Sequence, residues 1–162
     1  MNRVIFTLCV MSAFITILTG CGSHDNNVQS IEYPPTDRVE AVFQKNRVPD
    51  SCRVFANLYA TMPAGYTGQQ FVEAVSDEAK SKGADMILIG HARQCTTESE
   101  LDFTYYGPDR EYKIREWPGW SYGFEEWQEQ GEWTAIGYKE WGNSEVCYDY
   151  PILMQVVFVR CQ

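Results

Sequence analysis

A chain of 162 residues with 44% hydrophobic content is long enough for one domain with a real core, and wholesale disorder is excluded. Thirteen Lys and Arg face 22 Asp and Glu, giving a formal charge of −9. That balance excludes a general nucleic-acid binder, because phosphate neutralisation needs a basic surplus.

The first element is an address. Residues 1–20 carry one charge, Arg3, then an apolar run from Val4 to Leu18 and small residues. This is the pattern of a secretory signal, and the run is shorter than the ~20 residues a membrane-spanning helix needs. Leu18-Thr19-Gly20-Cys21 resembles the bacterial lipobox. The resemblance implies that the Cys21 thiol receives a diacylglycerol, that cleavage precedes it, and that the new amine is acylated. The alternative is an ordinary signal with Cys21 as a structural cysteine. Acyl chains anchor durably, since each buried CH₂ contributes ~0.8 kcal/mol. Gly22 and Ser23 follow the cysteine, with no Asp directly after it. By resemblance to enterobacterial sorting rules, this favours the outer membrane. Without residues 1–20 the chain holds 12 bases against 22 acids, a net of −10.

Residues 21–35 are polar, include His24, and end in Pro34-Pro35, which predicts a flexible tether. Thr36–Phe43 alternates as a strand, and Gln44–Ser51 reads as a turn around Pro49-Asp50. Cys52–Met62 is the second strand. Thr67 with Gln70 predicts a capping box at the start of a helix over Gly68–Lys82. Phe71, Val72, Val75 and Ala79 form its apolar stripe, and Gly83 supplies the left-handed stop. The run Met86-Ile87-Leu88-Ile89 predicts a buried strand, placed within 85–93 and parallel to 52–62. Short strands are expected at Leu101–Tyr106, Glu111–Trp117 and Glu132–Glu140. Ile152–Cys161 is the most hydrophobic stretch of the mature chain, so it belongs at the centre of the sheet.

Four cysteines remain after Cys9 and Cys21: Cys52, Cys95, Cys147 and Cys161. An even number in an exported chain reads as two disulfides. No CxxC or CxxH spacing supports a zinc site. If the last strand runs antiparallel beside two parallel ones, Cys161 leaves where Cys52 begins, and Cys147 enters near Cys95. The expected bridges are therefore Cys52–Cys161 and Cys95–Cys147, with the other two connectivities as alternatives.

Tyr33-Pro34-Pro35-Thr36 before a first strand, and Gly83-Ala84-Asp85 opening an apolar strand after a helix, form a recognisable bacterial pattern. Residues 33–93 resemble small envelope lipoproteins, among them the Rcs-type stress-sensor lipoprotein, and are similar to the pentameric YbjQ-like proteins. The matching residues make a turn, a cap and a core, so the resemblance implies a fold and no particular activity. The Trp-rich segment departs from both groups, and the chain is too long and too acidic for a simple YbjQ-like ring.

Candidate chemistry is sparse. His91 follows a buried strand and could act as a base or ligand, but it reads better as a solvated strand-end residue. No GxSxG, HExxH or phosphate-loop pattern occurs. The acidic run Glu125–Glu132 lacks the spacing of a calcium loop and reads as a solvated face. Fourteen of the 23 aromatics lie between Phe103 and Tyr150, including all five Trp. Trp117, Trp120, Tyr122, Trp127, Trp133 and Trp141 are the candidate binding surface, because aromatic anchors give large contact area at little entropic cost. The alternative is a second small core. The expectation is an α+β fold in a single domain over 36–162: a mixed β-sheet, one amphipathic helix packed on it, an aromatic-rich β insertion at 96–146, and two disulfides. The expected role is a non-enzymatic, lipid-anchored envelope protein without cofactor or metal. Its expected partners are the membrane through acyl chains, and another envelope protein or a glycan.

Overall fold

The computed structural model describes residues 31–161. The expected signal at 1–20, Cys21, His24 and the expected tether up to residue 30 lie outside the described residues. The element order is β1 (Glu40–Val42), β2 (Arg53–Met62), α1 (Gly68–Ser81), β3 (Met86–Gln94), β4 (Asp102–Gly107), β5 (Tyr112–Lys113), α2 (Phe124–Gln128), β6 (Trp133–Thr134) and β7 (Ile152–Arg160). The result is a mixed α+β architecture of one seven-stranded sheet and one main helix. The sheet order is β1-β3-β7-β2-β4, with β5 on β2 and β6 on β3.

Strand β7 sits at the centre, as its composition predicts. It runs antiparallel to both β2 and β3, which are therefore parallel to each other. Its burial is continuous from Ile152 to Val159 because both faces are covered. Ile152, Met154, Val156 and Phe158 point to one side and pack with Phe71, Val75 and Ala79 of α1. Val157 and Val159 point to the other side, under Ile114 and Trp117, while Leu153 there meets Tyr59 and Trp127. A strand covered on both faces reads as a near-continuous apolar run rather than alternation, here interrupted only by the buried Gln155.

Helix α1 starts where its cap chemistry places it. The Gln70 amide donates to Thr67 Oγ1 at 3.3 Å, and the Thr67 amide donates to Gln70 Oε1 at 2.9 Å. Gly83 ends it with φ +79°, and a Cβ there would lie 2.5 Å from Tyr33 Cβ. That crowding arises because 31–35, the last part of the expected tether, lies against the body. The Tyr33 amide donates to Lys82 O (3.2 Å) and Thr36 Oγ1 to Ala84 O (2.6 Å). The Tyr-Pro-Pro-Thr and Gly-Ala-Asp segments thus touch each other. Asp85 also accepts the Cys161 amide at 2.7 Å and lies 3.4 Å from Arg160.

One disulfide is present, Cys52–Cys161, closing a separation of 109 residues. It forms because Arg53 and Arg160 are register partners, so the flanking cysteines meet at the sheet end. The second expected bridge, Cys95–Cys147, is not formed. Cys95 packs with Tyr59, Trp127 and Leu153 on the face opposite α1. Cys147 is exposed beside the loop that starts α1, with its Sγ 3.4 Å from Gly65 O and its backbone bridged to Thr67. The two thiols are held on different sides of the sheet.

Three expected strands are shorter than their alternation suggests. Thr36 bonds to Lys80 O and Ala84 O at the end of α1, and ladder pairing starts only at Glu40, leaving three residues for β1. After Lys113 the chain turns, with the Glu116 and Trp117 amides both donating to Lys113 O. After Thr134 it leaves β3, and a turn closes when the Glu140 amide donates to Gly137 O at 3.1 Å.

Candidate functional site

The aromatic segment divides between covering the sheet and forming a patch. Trp117 and Trp127 are 4% and 3% exposed, so these two members of the expected surface belong to the packing opposite α1. Trp117 Nε1–H donates to the buried Asn57 Oδ1 at 3.0 Å and meets Trp120 edge-on at 5.0 Å between ring centres. Trp120 in turn covers Gly90, where a Cβ would come within 2.7 Å of its ring. Tyr122 is half-buried beside Gly107, away from this group, and burial with a hydrogen bond to Tyr112 pushes its hydroxyl up to about 12. Trp141 lies on the α1 side, 5.9 Å from Phe43.

What remains together is a patch on β3 and β6. A bulge in β3 between Ile89 and Ala92 displaces Gly90 and His91 from the ladder. The His91 amide donates to the buried Gln155 Oε1 at 3.3 Å, which fixes the bulge. Arg93 and Trp133 are cross-strand partners. The Arg93 guanidinium donates to Gly131 O (2.7 Å) and Trp127 O (2.8 Å). It also lies 5.4 Å from the Trp133 ring centre and 5.8 Å from that of Trp127. Trp127 and His91 approach Trp133 edge-on at 5.7 and 5.2 Å. Trp133 is nevertheless 61% exposed.

Below the patch, α2 is held by Tyr59. Its hydroxyl donates to Gly123 O (2.7 Å) and Tyr122 O (3.0 Å), and burial pushes its pKa up to about 12. Tyr106 donates to the Glu126 carboxylate, so part of the acidic run serves packing. The arrangement offers an aromatic face, a guanidinium and an imidazole side by side. Among the described residues no group of three or more His, Cys, Asp or Glu could hold a metal, and no helix is long and apolar enough to cross a membrane. Arg93 and His91 were not legible as members of the patch, because only the β3–β6 register brings them to Trp133. Comparison with family models, curated proteins and solved structures returns no match.

Proposed function

We propose that the chain is a lipid-anchored cell-envelope protein, held in the outer membrane through Cys21, with a non-catalytic binding role. The anchor rests on the lipobox pattern at 18–21. The binding role is carried by one observation: Trp133 is 61% exposed while Arg93, Trp127 and His91 pack around it. An indole left in water forfeits burial worth ~25 cal/mol per Å² of apolar surface. One that is also held by its neighbours offers preorganised contact area to a partner. The partner fitting this reading is another envelope protein. A second reading, a carbohydrate ligand, is favoured by the mix of an indole face with the polar edges of Arg93 and His91.

Two measurements test the proposal. Cys21→Ser is expected to move the protein from the membrane to the soluble fraction, and a variant that stays membrane-bound would overturn the anchor. Trp133→Ala is expected to weaken partner capture in envelope cross-linking by about ten-fold or more. Tyr138→Ala, equally exposed but packed on Phe43, should leave capture intact. Equal capture by both variants would sink the patch as a binding site. Saturable quenching of Trp fluorescence by a glycan, lost in Trp133→Ala, would select the carbohydrate reading.

A further inference from the structure

Nearly half of the cations of this acidic chain are gathered in two short segments. Of the 13 Lys and Arg, six fall within 45–53 and 110–115, where only two acids stand; the rest of the chain has seven cations against 20 acids. The fold joins these two segments. Lys113, Arg53 and Arg160 occupy register positions in a row across β5, β2 and β7, at the end of the sheet that carries the disulfide. Two shallow depressions of about 490 and 600 Å³ adjoin there, sharing Asp50 and Arg115. Arg53, Lys113 and Glu116 line the first; Lys45 lines the second, over Val48 and Ile114. Asp50 neutralises Arg115 in a two-point pair, and Arg53 lies 3.7 Å from Glu111. Lys45, Arg47 and Lys113 are exposed and have no ion pair among the described residues.

The same end receives the N-terminal segment. The Arg160 guanidinium lies 5.5 Å from the Tyr33 ring centre, and Tyr33 stacks edge-on against Phe55 of β2. Only residues 22–30 separate Cys21 from the described body. The ten Cα-to-Cα steps from Cys21 to Ile31 reach at most about 35 Å fully extended. The loops at the opposite end carry Glu98, Glu100, Glu132, Glu145 and Asp149. The basic end also carries Glu32, Asp37, Glu40, Asp85 and Glu116, with Glu32 paired to Lys82 and Asp85 to Arg160, so its cations are partly offset while the opposite end stays acidic. The molecule therefore meets an anionic surface with less repulsion through this end than through the other, within about a Debye length of 8–10 Å.

We infer that the end carrying Lys45, Arg53 and Lys113 rests on anionic phospholipid headgroups when the chain is anchored, so that the acidic end and its loops face away from the bilayer. The inference rests on lipidation of Cys21. The anchor supplies proximity, and the cations supply orientation, each Lys or Arg near an anionic leaflet shifting the equilibrium by about five-fold.

The test uses the full lipidated chain in vesicles of phosphatidylethanolamine alone or mixed with phosphatidylglycerol. Flotation reads the anchor; amine-labelling rates of Lys45 and Lys113 relative to Lys139, read by peptide mass mapping, report the orientation. The expected result is flotation with both vesicles, and labelling of Lys45 and Lys113 about five-fold slower only where phosphatidylglycerol is present. Roughly 1 M salt should abolish that difference, as should Arg53→Glu with Arg115→Glu. Flotation with both vesicles but equal labelling ratios would overturn the docking and leave the anchor standing. Flotation with phosphatidylglycerol vesicles alone would overturn the acyl anchor and leave the basic end as the attachment. No flotation with either would overturn both.

Discussion

Asn57 and Trp117 form a buried polar pair in the middle of an apolar layer, and the indole N–H, which can only donate, fixes which way the carboxamide turns. Trp117→Phe keeps an aromatic ring but leaves Asn57 Oδ1 unpaired. An orphaned buried acceptor costs ~1–3 kcal/mol, so the urea midpoint should fall by that equivalent. Adding Asn57→Leu should recover part of the loss; strictly additive losses would show that the hydrogen bond contributes nothing. Trp133→Ala should change stability by about 1 kcal/mol or less, because most of its ring is already in water. Gly68 carries a different constraint. Alanine at a helix start is usually harmless, but a Cβ here would collide with Glu140 O and sit 2.8 Å from Asn143 O. Gly68→Ala should therefore destabilise by ~1–3 kcal/mol in the same melts, and a neutral result would show that the 137–143 turn moves freely on α1.

At the scale of elements, the disulfide joins the first residue before β2 to the first after β7, and so ties two neighbouring strands into one sheet end. A loop of this size constrains the unfolded chain by roughly 4–5 kcal/mol in the entropic account. Cys161→Ser, or reduction of the wild type, should lower stability by ~2–5 kcal/mol, measured by denaturant melts with and without reductant. Identical melts would mean that the bridge constrains nothing. This bridge could be read from the sequence because strand direction and the apolar run of 152–159 together dictate where the two ends meet. Helix α1 was legible for a more local reason: Thr67 and Gln70 fix its start and Gly83 its end, each within a few residues of the terminus it sets. The aromatic segment was not. Alternation over 132–140 reads as a strand, yet only Trp133 and Thr134 find a ladder, because β3 ends at Gln94 and the Glu140 carboxylate draws in the Gly137 amide at 2.9 Å. Likewise an even cysteine count suggests a second bridge, while the side of the sheet on which Cys95 lands is decided by packing with Tyr59 and Trp127. The β3 bulge that builds the patch leaves no mark in composition or period.

Over the whole molecule, tyrosines tie both faces of the sheet to their coverings. Tyr59 holds α2 on one face, while Tyr105 donates to Glu78 of α1 (2.6 Å) on the other. Tyr148 donates to Ala135 O (2.8 Å) and packs against Phe71. Burial raises all three hydroxyls, Tyr59 and Tyr148 to about 12 from an ordinary 10.0, and the bond to Glu78 adds to the rise at Tyr105. The sign follows from linkage. In the unfolded chain these phenols lose their protons near pH 10, while in the folded chain they hold them to higher pH. Their contribution to stability is complete below about pH 10 and is lost as pH climbs through about 12. Tyr112 works in the opposite sense, since its hydrogen bond with Arg110 lowers it, but it stands alone against these three and Tyr122, which is also raised. Urea midpoints should therefore hold steady from neutrality to about pH 10 and then fall steeply. Tyrosinate absorbance should rise in two stages, the exposed rings first and the buried ones with unfolding. Tyr59→Phe should soften the alkaline fall, because one phenol that must ionise on unfolding has been removed. At neutrality the same variant should cost only ~1 kcal/mol for the lost bonds to Gly123 and Tyr122. A stability profile that stays level to about pH 12 would show that water reaches these hydroxyls freely, and that the two layers are not sealed onto the sheet as described.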